Sequence, residues 1–119
     1  MSPLTRPSWK TLQERIEREP AFGAELLNVM FECLLEGEVG TGRVMLYDYI
    51  MATIGFQKLG KLISKSPDNL MQMFTSEDSL DAHTFFAVIH CLQQQTGLQL
   101  KVKAVAKQSQ PTQQAALSH

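Results

Sequence analysis

The chain has 119 residues, of which 44% are apolar and 19% charged, which is enough for one small domain with its own core. Its formal net charge of −1 excludes a strongly basic nucleic-acid binder, and Cys33 and Cys91 are too far apart to have metal-ligand spacing. No apolar run approaches the roughly 18 residues that a membrane span needs, so we predict a cytoplasmic protein without membrane association.

The charges are unevenly distributed along the chain. Residues 1–54 carry eight acidic and five basic side chains, whereas residues 55–103 carry five basic and four acidic ones. An acidic front half joined to a mildly basic back half is compatible with a separate electrostatic role for each half. Because the basic surplus is small, one copy should bind DNA weakly, and useful affinity would require a dimer.

Three helices are predicted in the front half. Residues 1–20 form a polar extension with one short helix, Trp9–Arg18, whose tryptophan is expected to anchor it on the domain. The clearest helix, Ala21–Leu35, is so apolar that it must be buried on more than one side, by default in the domain's own core and alternatively by a partner. A glycine-rich turn leads into the third helix, Gly42–Ile54, with Arg43 on its outer face.

The stretch Gly55–Phe74, GFQKLGKLISKSPDNLMQMF, predicts two short helices joined by a tight turn. Ser66 is well placed as the N-cap of the second helix, and Pro67 as its first residue, where the missing N–H costs nothing. Small residues at Gly60 and Ser64 are typical of the point where the two helices of a helix–turn–helix cross. The whole segment therefore resembles a reader of the DNA groove.

In that interpretation, the second helix presents polar side chains to base edges, and lysines bind the flanking phosphates. The predicted groove-facing residues are Ser66, Asp68, Asn69 and Gln72, and the predicted phosphate-binding residues are Lys58, Lys61 and Lys65. The alternative is an ordinary helical hairpin with a solvated outer face, because such hairpins are common.

The back of the domain is predicted to contain one more helix, Ala82–Gln95, and a short strand at residues 98–103. A single strand cannot satisfy its own backbone, so its simplest partner is the same strand of a second copy. Leu98, Leu100 and Val102 would then lie at the dimer interface. The domain spans residues 21–103, and the Gln-rich residues 104–119 are predicted to be disordered. The predicted core consists of Phe22, Leu26, Leu27, Met30, Leu34, Leu46, Ile50, Leu59, Leu62, Leu70, Phe85, Phe86, Ile89 and Leu92.

No catalytic constellation is found in the sequence. His83, His90 and His119 are not at ligand spacing with carboxylates or cysteines. His90 directly precedes Cys91, but adjacent residues of a helix point to different faces, so the pattern does not indicate a nucleophilic cysteine. We therefore predict no enzymatic activity, no metal and no cofactor, and we interpret the two cysteines as reduced thiols in helical apolar patterns.

From Phe22 to Val102 the chain resembles bacterial helix–turn–helix transcriptional regulators related to addiction-module antidote proteins. The resemblance depends on four stretches, which are AELLNVMFECLLEGEVGTGRVML at 24–46, YDYIMATIGFQKLGKLISKSPDNLMQMF at 47–74, FFAVIHCLQQQTG at 85–97, and LQLKV at 98–102. Many family members have Ala and Gly where this chain has Gly60 and Ser64. The acidic residues 75–79 also lack the Gly-Asn-Pro that the family often has there.

The resemblance implies an all-α, lambda-repressor-like bundle of about five helices that contains a helix–turn–helix. It also implies a homodimer that binds double-stranded operator DNA and represses its own operon, often together with a small toxin partner. A second hypothesis is an antidote whose acidic front half wraps a small basic toxin. A third is a helical adaptor with no nucleic-acid role.

Overall fold

The computed structural model describes residues 8–76 and 80–107, and this part of the chain forms six helices and no strand, where about five helices and a short strand were predicted. Its helices are α1 (Trp9–Arg18), α2 (Pro20–Leu35), α3 (Val39–Ala52), α4 (Gly55–Ile63), α5 (Pro67–Thr75) and α6 (Ala82–Thr96). No helix in these ranges is long and apolar enough to cross a membrane. Most of the tail that was predicted to be disordered, residues 108–119, lies outside the described residues.

Helices α2 and α3 form a closely packed hairpin whose approach depends on a glycine. A Cβ on Gly42 would lie 2.6 Å from Leu34 Cδ2 and 3.1 Å from the carbonyl oxygen of Met30. Gly37, at a φ of 89°, provides the left-handed turn after α2. Helix α3 starts at Val39, three residues before the predicted start, so Gly42 allows close helix packing and does not belong to the turn.

Helix α1 packs across α2 and α3. The indole N–H of Trp9 donates to a carboxylate oxygen of Asp48 at 3.0 Å, and the Trp9 ring lies 6.1 Å from the Tyr47 ring. Close to its other end, Ile16 lies against the backbone of Gly23, where an added Cβ would be 3.3 Å from its methyl group. Trp9 thus anchors α1 on α3, as predicted, although its side chain remains partly exposed.

The core lies where α2, α3, α4, α5 and α6 meet. Its fully buried side chains are Leu27, Met30, Leu46, Ile50, Leu59, Leu70, Phe74, Val88 and Leu92. Two predicted core residues are wrong, because Leu62 is 48% exposed and Phe86 is 60% exposed. Successive residues of a helix point about 100° apart, so a residue in an apolar stretch of sequence can still lie outside the buried face.

The strand predicted at residues 98–103 is not confirmed, because the described part of the chain contains no strand. Leu98 and Leu100 are half-buried and pack on the core of their own chain. The backbone N–H of Leu100 donates to Oε1 of Gln93 at 2.8 Å. This bond to a side chain of α6 takes the place of the hydrogen bond to a neighbouring strand that the prediction required. Val102 is 74% exposed, so of the three predicted dimerisation residues it is the one left at the surface.

Candidate nucleic-acid interface

The connection between α4 and α5 is a tight turn that only small residues permit. Ser64 ends α4 in the left-handed conformation, with φ 59° and ψ 47°, and the N–H of Lys65 donates to the Gly60 carbonyl at 2.8 Å. A Cβ on Gly60 would lie 2.5 Å from the Lys65 carbonyl oxygen and 3.4 Å from the Pro67 ring. The absence of a side chain at residue 60 therefore lets the turn fold back onto α4.

Helix α5 begins as the sequence predicts. The hydroxyl oxygen of Ser66 accepts a hydrogen bond from the backbone N–H of Asn69 at 3.2 Å, and Pro67 is the first helical residue. Asp68 in the first turn is favourably placed for the positive end of the helix dipole. The cap and the acidic first turn both stabilise a helix of only nine residues, which would be marginal in isolation.

The two faces of α5 differ completely in burial. Leu70 and Phe74 are fully buried on the inner face, and each contributes about 1.5–3 kcal/mol of burial free energy. Asp68, Asn69 and Gln72 are exposed on the opposite face, and Ser66 is exposed at the N-terminal end. The structure thus brings together all four predicted groove-facing residues on one solvent-accessible side of a helix that the core holds in place.

Arg43 holds the C-terminal end of α5, which was not predicted from the sequence. Its Nε donates to the carbonyl oxygen of Phe74 at 2.9 Å, and its side chain is half-buried where the sequence pattern suggested an outward-facing one. A guanidinium at a helix C-terminus satisfies an orphan carbonyl and complements the negative end of the dipole. No sequence signal pointed to this contact, because it joins helices 31 residues apart.

The three predicted phosphate-binding lysines fall into two groups. Lys58 and Lys61 are exposed one turn apart on α4, and with Gln57 they line a shallow cleft of about 230 Å³. Lys58 also lines a cleft of about 260 Å³ with mixed polar and apolar walls, against the end of α6. Lys65 lies apart from them in the turn, where it is half-buried. The cationic side chains therefore follow α4 and the turn and do not surround α5.

Lys65 lies near the start of α6, where its charge helps to lower the pKa of the Asp81 carboxyl group. The pKa of Asp81 is lowered chiefly by the hydrogen bond from the backbone N–H of Thr84, at 2.7 Å, with smaller contributions from the Thr84 side chain, Lys65 and His83. Asp81 is the N-cap of α6, so its carboxylate has a structural role. Its negative charge reduces the field of Lys65 that a DNA phosphate would experience.

The cysteines are free thiols. Cys91 is buried on α6, and burial raises the pKa of its thiol while the charge of Lys58 lowers it by a smaller amount. A raised thiol pKa disfavours the reactive thiolate. Within residues 8–76 and 80–107, no three His, Cys, Asp or Glu side chains are grouped so that they could hold a metal ion.

Comparison with known proteins leaves the identity of this surface open. No protein-family model, no curated protein sequence and no solved structure matches the chain. The resemblance to antidote-related regulators and the lambda-repressor-like topology therefore stay predictions from the sequence.

Proposed function

We propose that this chain is a sequence-specific transcriptional regulator that binds double-stranded DNA as a homodimer in the cytoplasm. It would have a lambda-repressor-like helix–turn–helix fold and repress its own operon. The observation that carries the proposal is the α4–turn–α5 unit, in which a left-handed Ser64 and the bare backbone of Gly60 set the turn. The capped N-terminus of α5 then presents exposed polar side chains on a rigid scaffold.

The side chains of α5 have the chemistry of base recognition. Asn69 and Gln72 can each form bidentate hydrogen bonds with adenine, and Asp68 can accept a hydrogen bond from the amino group of cytosine. In the first turn of α5, Pro67 has no N–H and the N–H of Asn69 is bonded to Ser66. A phosphate at the positive end of the helix dipole would therefore be bound by the Ser66 hydroxyl and the backbone N–H of Asp68. Asp68 would repel a nearby phosphate, so the approach of α5 must place it towards the bases.

The charge distribution supports a dimer. One copy offers Lys58, Lys61 and Lys65, and the field of Lys65 is partly offset by Asp81. Because affinity for DNA grows with the number of neutralised phosphates, two copies on adjacent half-sites would bind far more tightly than one. A twofold symmetric operator with half-sites about one helical turn apart is expected.

Footprinting and titration on the upstream region of its own gene test the proposal. Asn69→Ala and Gln72→Ala should each weaken specific binding by about 1–3 kcal/mol and relax base preference. The matched control is Gln94→Ala, at an exposed residue of α6, which should bind like the wild type. Lys61→Ala should weaken binding to all sequences alike and lower the salt dependence by about one counterion.

Unchanged specific binding by Asn69→Ala and Gln72→Ala would exclude α5 as the reading helix. If the purified protein binds no DNA but co-purifies with a small basic protein, the antidote hypothesis replaces the regulator. If it binds neither, the adaptor hypothesis is favoured.

A further inference from the structure

An apolar surface on the side of α2 and α6 is left uncovered by residues 8–76 and 80–107. It consists of two neighbouring clefts, which we call together the apolar face. One cleft, of about 300 Å³, is lined mainly by Leu34, Val39, Leu80, Phe85 and Phe86. The other, of about 330 Å³, has Phe31, Leu35, Leu100 and Val102 as its apolar lining. The Phe31 and Phe85 rings are 5.9 Å apart and connect the two clefts.

The side chains of the apolar face are unusually exposed for their type. Leu35 is 71% exposed, Val39 55% and Phe86 60%. Single exposed apolar residues are ordinary, whereas these three line two clefts that are connected by an aromatic contact. Such a patch with a charged rim has the composition of the centre of a protein interface.

The rim of the apolar face carries both signs of charge. Glu25 and Glu32 of α2 line the second cleft together with Lys101 and Lys103 of the terminal segment. Among the described residues, no ion pair joins these lysines to these glutamates. A twofold symmetric contact requires a surface that complements itself, and a patch with an apolar centre and both charges at its rim satisfies this requirement.

The first cleft reaches both ends of α5. Arg43 lines this cleft and binds the Phe74 carbonyl at the C-terminal end of the helix. Asp81 also lines it and lies near Lys65, in the turn before the N-terminal end. A contact through the apolar face would therefore border α5 without including Asp68, Asn69 or Gln72, which line neither cleft.

We infer that a second copy of this chain covers the apolar face, with Phe86 and Leu35 at the centre of the interface. Lys101 and Lys103 of each copy face Glu25 and Glu32 of the other. The choice of a second copy as the occupant rests on the proposed function, since the few cations of one copy need a dimer for useful DNA affinity. The interface is then made by side chains of α2, α3, α6 and the terminal segment 100–103, and not by pairing of strands.

The mass of the full-length protein in solution, measured by sedimentation over a concentration series, tests this inference. Phe86→Glu and Leu35→Glu should each weaken the dimer by about 100-fold or more, because each buries an unpaired charge. The matched control is Val44→Glu. Val44 is an exposed residue of α3, one turn before Tyr47, and the Tyr47 ring contacts Trp9 of α1. The substitution adds the same charge outside the apolar face and should leave the dimer intact. Thermal unfolding confirms that each variant is folded.

A charge-reversal experiment tests the pairing across the rim. Lys101→Glu with Lys103→Glu should weaken the dimer, and adding Glu25→Lys with Glu32→Lys should restore it. The inference is overturned if the wild type is monomeric at all concentrations, if Phe86→Glu and Leu35→Glu remain dimeric, or if Val44→Glu dissociates equally. A dimer that is lost in Phe86→Glu supports the inference even if the protein binds no DNA, in which case only the proposed function fails.

Discussion

Two rows of aromatic rings pass through this molecule and end in opposite environments. The first row joins α1 to α5 through Trp9, Tyr47, Phe56 and Phe74, with ring centroids 6.1, 5.2 and 5.7 Å apart. The second row joins α2 to α6 through Phe31, Phe85 and Phe86, at 5.9 and 5.0 Å. The first ends in the core at Phe74, and the second ends at the surface at Phe86.

The difference indicates what each region is suited to do. The last two rings of the first row, Phe56 and Phe74, are buried and support α5 from the inside, so that the opposite, polar side of the helix faces the solvent. The exposed row leaves an apolar edge in contact with water. The free energy would fall if another molecule covered this edge. One region holds a reading surface in place, and the other is suited to bring two such surfaces together.

The largest expected effect is the difference in stability between removing Phe74, which ends the first row in the core, and removing Phe86, which ends the second row at the surface. Phe74→Ala should lower the free energy of unfolding by about 3–5 kcal/mol, because it leaves a cavity beside Phe56 and Leu70. Phe86→Ala should change the stability of the monomer by less than about 1 kcal/mol, because its ring is already largely in water. Urea denaturation at a concentration below that of dimer formation measures both, and equal losses would contradict the contrast.

The turn before α5 should be the next most sensitive position. Gly60→Ala places a Cβ 2.5 Å from the Lys65 carbonyl, so the backbone must shift, at a cost of about 1–3 kcal/mol. The shift should also misplace α5 and reduce DNA affinity. Gly40→Ala is the control, because a Cβ there meets nothing within 4 Å and helix propensity favours alanine. A Gly60→Ala protein as stable as Gly40→Ala would refute the tight-turn explanation.

Arg43 is the side chain that touches both regions, since it binds the Phe74 carbonyl and lines the cleft beside Phe86. Arg43→Met keeps much of the apolar stem but removes the hydrogen bond, so a loss of about 1–2 kcal/mol in unfolding free energy is expected. In Arg43→Met, the exchange of backbone amides should be faster than in the wild type, and the increase should be larger at the C-terminal end of α5 than at its capped N-terminus. Uniform exchange along α5 would mean that Arg43 does not act on that end.

The smallest effect concerns pH and the start of α6, which carries the exposed row. Because the pKa of Asp81 is lowered on folding from 3.8, its carboxylate stabilises the folded state above that value. The contribution is lost as the pH falls through the lower folded pKa. Asp81→Asn should therefore flatten the acid dependence of the melting temperature below about pH 4. An unchanged acid profile would show that the cap contributes nothing through its charge.

Local features of the candidate site could be predicted from the sequence. Ser66, Pro67 and Leu70 are spaced as a cap, a first helical residue and a buried anchor, and each of these depends on neighbours within one turn. The exposed position of Asn69 and Gln72 follows from the same helical period.

Contacts between distant parts of the chain could not be predicted in this way. The sequence pattern placed Phe86 in the core beside Phe85, because both are large and apolar, yet the neighbouring helices cover only one of the two. The alternation from Leu98 to Lys103 has the period of a strand, but the bond from Leu100 to Gln93 and the packing of Leu98 on the core decide otherwise. Burial by neighbours outweighs a local period in so short a segment.

The sequence by itself determined that the chain is mainly helical, together with the α4–turn–α5 unit and the polar side of α5, because helical period, caps and small turn residues act over a few positions. Only the tertiary structure decided that Arg43 holds the end of α5 and that Gly60 is pressed against the Lys65 carbonyl. It also decided that the second aromatic row reaches the surface at Phe86. These outcomes depend on which helices meet, and a local pattern does not encode the distance between helices that are far apart in the chain.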